Sequence, residues 1–182
     1  FGGDVCMTSD QHQTGSDRLV EVAQTRGWSD DLIVVNLQGD EPLMPSVNMT
    51  QVASNLAQSN CDMTTLHKVI SRSQALDPNQ VKLVHNSLGE TNYFSRSLIP
   101  FDRVDQSQKF LGHIGIYAYR VSFLKAFTKL PACEIETREK LEQLRALWNG
   151  YSIHTELATE LPGPGVDTEQ DLQQVIQILQ SS

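Results

Sequence analysis

Asp40 follows the aliphatic run Asp31-Leu-Ile-Val-Val-Asn-Leu37 by way of Gln38 and Gly39. A carboxylate at the carboxyl end of a buried parallel strand stands where open α/β sheets place their ligands, and Gly39 lets the backbone come close to a bound molecule. The same residues also read as a turn in which Asp40 satisfies nearby amides and Pro42 opens the next helix. A second aspartate, Asp167, follows Pro162-Gly-Pro-Gly-Val166. It reads as a helix N-cap with Gln170 at the N3 position of a capping box. If its loop folds back over the sheet to bring Asp167 to Asp40, two converging carboxylates beside a phosphate are what Mg²⁺ takes in phosphoryl chemistry.

His12-Gln-Thr14-Gly15-Ser16-Asp17-Arg18 opens a helix with small polar residues, so its free amides could face an anion or a base edge; a capped helix start is the plainer reading. Neither a G-x-x-x-x-G-K-[ST] loop nor a G-x-G-x-x-G turn occurs, so any nucleotide is held another way. Arg96 ends the strand-like Tyr93-Phe-Ser-Arg96 and offers a planar fork suited to a carboxylate. His113 and Tyr117 lie four apart on an expected strand and therefore share a face. Spacing alone selects neither these two nor Glu142 and Gln143: a His and Tyr on a strand are commonly structural, and Glu142 reads as a solvated helix position.

The elements that must position these residues read as strand and helix in alternation, an α/β pattern. The run 31–37 has the continuous apolar character of a strand buried on both faces of a parallel sheet. Helical spacing marks Ser16 to Arg26 and Pro45 to Ala57. Short strands are expected at Asp62–Leu66, Val81–His85 and Glu90–Phe94, the last two joined by a hairpin turn at Asn86-Ser-Leu-Gly89. His113–Arg120 has strand composition, and a short helix fits Ser122 to Lys129. One helix is expected from Glu134 to Trp148, with Ile135, Leu141, Leu144 and Leu147 on a stripe and Gly150 past its end. Ser152–Leu157 reads as an edge strand, 161–165 as a loop, Asp167–Leu179 as a closing amphipathic helix, and the polar stretch Asp102–Lys109 as a loop.

With 182 residues and 39% hydrophobic content, the chain suits one domain with one core. Its 22 acidic against 14 basic residues, a net charge of −8, argue against an extended surface for nucleic acid or an anionic membrane. Three cysteines in no zinc-like array read as reduced thiols. No apolar run approaches the ~18 residues of a transmembrane helix, and the expected location is the cytoplasm. The start at Phe1-Gly-Gly-Asp-Val reads like the inside of a connection, which raises the expectation of a preceding amino-terminal piece.

Seven strings in register, Asp10-Gln-His-Gln-Thr-Gly-Ser-Asp-Arg-Leu19, Val35-Asn-Leu-Gln-Gly-Asp-Glu-Pro42, Asn79-Gln-Val-Lys82, Tyr93-Phe-Ser-Arg96, His113-Ile-Gly-Ile-Tyr117, Glu139-Lys-Leu-Glu-Gln-Leu-Arg145 and Pro164-Gly-Val-Asp-Thr168, resemble the CMP-Kdo synthetases. Each is weak alone; together they cover essentially the whole chain. The resemblance implies a Rossmann-like α/β/α sandwich of the nucleotide-diphospho-sugar transferase type, truncated at its amino terminus, in which residues 1–182 form one domain with a small β-rich dimerisation lobe at about 90–120. It implies transfer of CMP from CTP to Kdo, with release of pyrophosphate, in the supply of activated Kdo for lipopolysaccharide. Matching positions imply that Asp40 and Asp167 hold Mg²⁺, that Gln38, Arg96, His113, Tyr117, Glu142 and Gln143 line the sugar site, and that Thr14, Gly15 and Arg18 lie near the cytosine and ribose. Asp40, Asp167 and Arg96 would be the catalytic set, and a homodimer is the expected assembly.

Three departures accompany the likeness. The family's loop of the type Pro-Ala-Arg…Ser-x-Arg-Leu-Pro-x-Lys, which grips the triphosphate, has no counterpart in this chain, so the chain as given is expected to bind CTP poorly. Gly112 stands where the family carries a basic residue. The connection from Pro100 to Phe110 is short, and Thr14 stands where serine is usual. Two other readings stay open: a cytidylyltransferase for another acidic sugar, such as an 8-amino Kdo analogue or a sialic acid, and a non-catalytic sugar-binding module that kept the fold.

Overall fold

A computed structural model describes residues 2–12, 14–103, 109–166 and 168–181. The element order is α1 (Gly15–Thr25), β1 (Ile33–Asn36), α2 (Ser46–Gln58), β2 (Met63–Ile70), α3 (Arg72–Ala75), β3 (Lys82–His85), β4 (Thr91–Ser95), β5 (Phe110–Arg120), α4 (Val121–Phe127), α5 (Glu134–Glu139), α6 (Leu144–Trp148), β6 (Ile153–Leu157) and α7 (Glu169–Ser181). Six strands form one sheet in the order β4-β3-β5-β2-β6, with β1 joined to β5.

Apolar side chains leave the sheet on both faces. Met63, Leu83, Phe94, Tyr117, Tyr119 and Leu144 are buried together on one side. Leu66, Ile114, Ile116 and Ala118 are buried with Val52 and Leu56 of α2 on the other. Both α2 residues are fully enclosed, and at roughly 1.5–3 kcal/mol per buried large aliphatic side chain this stripe outweighs the weak helix propensity of Ser46-Val-Asn-Met-Thr.

The expected strand at 31–37 forms, but its pairing differs from expectation: β1 pairs only with β5 among the described strands, and antiparallel. Among the described residues only the β2–β6 ladder is parallel. Continuous apolar character reports that both faces are covered, while strand direction depends on connections that a local pattern does not contain. β2 and β5 also run longer than their apolar runs suggested, because each is paired along most of its length.

The helix expected over Glu134–Trp148 is broken. Lys140 adopts φ 54° and ψ 47°, α5 stops at Glu139, and α6 restarts at Leu144. The cause lies at the end of β4. Ser95 Oγ donates to Glu139 Oε1 at 2.6 Å, the Arg96 amide to Glu139 Oε2 at 2.8 Å, and Arg96 Nε to the Glu139 carbonyl at 2.7 Å. In a continuous helix that carbonyl would accept from the amide of Gln143; here it is taken by the guanidinium.

Helix ends follow capping chemistry. Thr14 caps α1 in a reciprocal box with Asp17. The cap of α7 falls one residue later than expected: Thr168 Oγ1 accepts from the Asp171 amide at 3.2 Å, and Asp171 Oδ2 accepts from the Thr168 amide at 2.8 Å. Thr168 and Asp171 thus form a reciprocal capping box; Asp167, expected as the cap, lies outside the described residues. Most of the polar loop at 102–109 also lies outside them.

Lys82 is among the largest side chains buried completely. Its ammonium donates to the carbonyls of Asp77 at 2.9 Å and Arg96 at 2.6 Å, tying the β3 entrance to the β4 exit. Burial lowers its pKa, yet two carbonyl acceptors make the charged form tolerable. Lys82→Met keeps the stem and strands both carbonyls. We expect it to lower stability by about 1–3 kcal/mol, seen as a fall in the urea midpoint at constant m-value.

Candidate active site

The helix break, the end of β4 and the middle of β5 surround a cavity of about 380 Å³. Gln38, Arg96, His113, Tyr117, Glu142 and Gln143 all line it. Four separated stretches of chain supply these six residues, and the structure brings all six together. Tyr119, Gly115, Leu141 and Lys140 also line it, and the sequence reading did not select them.

β5 reaches the cavity through a bulge. Thr65 pairs with Tyr117 while the next residue, Leu66, pairs with Ile114, so Gly115 and Ile116 lie between successive partners. Such insertions re-aim side chains beside functional sites. Here the rings of His113 and Tyr117 come to 5.3 Å between centroids. Thr65 Oγ1 stitches the bulge, within 2.8 Å of the Ile116 carbonyl, 3.1 Å of the Ile114 carbonyl and 3.0 Å of His113 Nε2. The hydroxyl has one hydrogen, and carbonyls only accept, so that hydrogen goes to a carbonyl and Nε2–H of His113 donates to Thr65. The other ring nitrogen, Nδ1, is then an acceptor. Burial holds the His113 pKa down to about 3, keeping the ring neutral.

Glu142 is the acid of the cavity. Oε2 accepts from Ser16 Oγ at 3.1 Å, while Oε1 is buried and accepts no hydrogen bond among the described residues. Arg145 Nη2 stands 3.8 Å from Oε1, but that guanidinium is already gripped by Glu136 at 2.5 and 2.9 Å. Burial raises the Glu142 pKa, with Ser16 and Arg145 opposing. An under-satisfied carboxylate oxygen costs free energy unless a hydroxyl reaches it. Burial likewise pushes the phenols of Tyr117 and Tyr119 up, so both remain hydrogen-bond donors.

Arg96 borders the same space with part of its fork engaged: Nε on the Glu139 carbonyl and Nη1 on the Pro78 carbonyl at 3.0 Å. These bonds fix the guanidinium and leave further N–H groups for an anion.

The residues expected near a nucleotide divide. Thr14 and Gly15 stand at the start of α1, whose Ser16 touches Glu142. Arg18 instead turns to the amino-terminal segment, donating to Thr8 Oγ1 at 2.7 Å and the Ser9 carbonyl at 3.0 Å. Asp40 is exposed beyond β1. Its carbonyl accepts from the Val166 amide at 2.8 Å, and Gly163 N donates to Leu43 O at 3.3 Å. The loop before Asp167 therefore runs beside the Asp40 turn. A Cβ on Gly163 would meet the Leu43 side chain at 2.6 Å, which explains a glycine there. No group of three metal-ligating side chains occurs among the described residues. Asp40 offers hard carboxylate oxygen, and Mg²⁺ is commonly held by one or two carboxylates together with substrate phosphates, so the donor set fits that ion.

Gly112 is enclosed. A Cβ there would lie 2.8 Å from Ile70 Cγ2 and 3.0 Å from Gln80 Nε2, and Gln80 spans the space by donating to the carbonyls of Val81 and His113. Thr65 and Ser16, which orient His113 and Glu142, left no sequence signal, since a hydroxyl on a strand or in a helix's first turn has many structural uses.

The description "cytidylyltransferase" belongs to the family model that matches residues 1–154. A 3-deoxy-manno-octulosonate cytidylyltransferase of Haemophilus ducreyi is 48% identical over 98% of this chain and 75% of its own length. One of Haemophilus influenzae is 47% identical over 98% of this chain and 75% of its own. A solved structure of CMP:2-keto-3-deoxy-manno-octonic acid synthetase complexed with CTP superposes with a TM-score of 0.92 at 38% identity, covering 99% of this chain and 73% of that one.

Two desolvated histidines, His113 in the cavity wall and His67 on the neighbouring strand β2, give the protein a pH signature. His67, bonded to Thr155 Oγ1 at 3.0 Å and stacked on His85, has its pKa lowered to about 4 by burial and then by His85. The unfolded chain binds protons at both positions below about pH 6.5, whereas the folded protein resists until about 4 at His67 and about 3 at His113. Stability therefore falls as pH drops below about 6.5, by ~1.4 kcal/mol per pH unit for each histidine. Urea unfolding at several pH values should show His67→Gln removing roughly one histidine's share of that slope; an unchanged slope would refute the assignment.

Proposed function

The chain belongs to the cytidylyltransferase family, and from that premise we propose that the protein transfers CMP from CTP to 3-deoxy-manno-octulosonate (Kdo), releasing pyrophosphate, in the cytoplasmic supply of activated Kdo for lipopolysaccharide. The observation that carries this reading is the cavity itself. Gln38, Arg96, His113, Tyr117, Glu142 and Gln143 surround one space with a cationic fork, neutral acceptors and donors, and one under-satisfied carboxylate oxygen, which suits a polyhydroxylated acid.

In the reaction the anomeric hydroxyl of Kdo attacks the α-phosphorus of CTP, the bond to the β-phosphate oxygen breaks, and pyrophosphate leaves. Little covalent chemistry falls to the protein, so alignment and charge stabilisation dominate. Arg96 holds the Kdo carboxylate, which fixes the approach of the attacking oxygen. His113 accepts a sugar hydroxyl at Nδ1, Glu142 accepts one at Oε1, and Gln38 and Gln143 complete the polar wall. Tyr117 donates its phenol hydrogen. Thr14 and Gly15 contribute to the side that takes the cytidine, and Arg18 joins them on exchanging its bonds to Thr8 and Ser9 for the nucleotide. Asp40 and Asp167 would hold Mg²⁺, which when bound neutralises phosphate charge and helps activate the attacking oxygen.

The assembly we propose is a homodimer built on the β-rich region at about 90–120, which supplies β4 and β5 to the sheet. Sedimentation equilibrium of the complete protein should give twice the chain mass; a monomer across the accessible concentration range would remove this part.

With Mg²⁺, CTP and Kdo, the complete protein should release pyrophosphate. Asp40→Ala and Asp167→Ala should each lose at least about a hundredfold in kcat/KM. Full turnover by both variants would remove the metal assignment. Preference for an 8-amino Kdo analogue or a sialic acid in competition would move the substrate assignment to that sugar.

A further inference from the structure

Lys140, Leu141, Glu142 and Gln143 are consecutive, and all four line the cavity. A regular helix turns each residue about 100° from the last, so four in a row cannot share one side. They do so here because Lys140 is left-handed. It is the single non-glycine residue with positive φ among those described, at 54°, a conformation that lysine has no side-chain means of favouring. The turn is held from two directions: the Lys140 amide donates to the Glu136 carbonyl at 2.7 Å, and Arg96 Nε binds the Glu139 carbonyl at 2.7 Å. Strain that the surrounding structure maintains in this way concentrates at ligand-binding positions.

The side chain at this position is exposed at the cavity edge and makes no hydrogen bond or ion pair among the described residues. The charge balance inside gives it a task. Arg96 has Nε and one Nη1 hydrogen committed to main-chain carbonyls, while Glu142 adds an acid whose neighbouring cation, Arg145, is shared with Glu136. A negatively charged ligand entering this space meets one partly engaged guanidinium and one carboxylate.

We propose that Lys140 is a substrate-specificity residue: its ammonium, held at the rim of the cavity by the left-handed break, pairs with the carboxylate of the sugar acid alongside Arg96. This rests on the reading of the cavity as the sugar-acid site. An ammonium on a flexible stem suits the exposed side of a carboxylate whose other side is met by a fixed fork.

The test compares the complete wild-type protein with Lys140→Met, Lys140→Gly and Lys140→Arg in pyrophosphate release with Mg²⁺, CTP and Kdo. Lys140→Met should raise KM for Kdo about tenfold, with KM for CTP unchanged and kcat within about twofold. Lys140→Arg should restore most of the affinity, and the Lys140→Met penalty should shrink at high ionic strength. Lys140→Gly should show the same rise in KM with a Tm at or above wild type, because glycine accepts the left-handed conformation without strain. That variant separates lost charge from a damaged fold. An unchanged KM for Kdo in both Lys140→Met and Lys140→Gly, or a loss that falls on CTP instead, overturns the proposal while leaving the cytidylyltransferase reading intact. Failure of the wild-type protein to release pyrophosphate with any sugar acid overturns both.

Discussion

Glu139 is held by the end of β4, and the cavity exists because of that grip. Its carboxylate takes Ser95 Oγ and the Arg96 amide, and its carbonyl takes Arg96 Nε. Two charge-assisted contacts to the carboxylate and one to the carbonyl exceed what a single helical hydrogen bond returns. The helix gives way, Lys140 turns left-handed, and 141–143 descend along the cavity wall. Leu141 and Gln143 bury themselves in doing so, and their burial supports the same break from below. Arg96 is both the clamp and a lining group, so the residue that faces the ligand also builds the wall opposite.

A second constraint works across the sheet. Thr65 occupies the one place where β2 and β5 lose register, and its hydroxyl spans two carbonyls and the His113 ring. The bulge, the tautomer of His113 and the approach of Tyr117 thus share one side chain. Burial keeps that imidazole neutral and the neighbouring phenols protonated, so the cavity presents donors and acceptors of fixed sense. Charge is confined to Arg96, Lys140 and Glu142. For a chain of net charge −8, such local placement of cations is what allows an anionic substrate to bind.

On the opposite side of β1, backbone chemistry dominates. Asn48, buried in α2, donates to the Glu160 carbonyl at 2.8 Å and accepts from its amide at 3.2 Å. The 161–166 loop then runs along the Asp40 turn through Gly163 and Val166. Its glycines serve close approach, since a side chain at Gly163 would collide with Leu43. The exposed acid after β1 is placed by these main-chain bonds, with no side-chain clamp of the kind that holds Arg96 among the described residues.

The sequence by itself determined the elements whose cause is local: the capped start of α1 at Thr14, the amphipathic α2, the β3–β4 hairpin with its left-handed Gly89, and the strand after Asp31. Seven strings in register carried the family, and with it the six residues of the cavity, although spacing alone would not have chosen His113, Tyr117, Glu142 or Gln143. Tertiary structure decided what depends on partners far along the chain. The direction of β1 against β5, the break at Lys140, the bulge at Thr65 and the shift of the α7 cap to Thr168 were beyond local reading. In the first three cases a local preference competes with hydrogen bonds or ladders formed across many residues, and the nonlocal bonds win because each satisfies a polar group that burial would otherwise leave unpaired. At α7 two adjacent residues could each cap the helix, and the general preference for Asp over Thr does not foresee the reciprocal Thr168–Asp171 pairing.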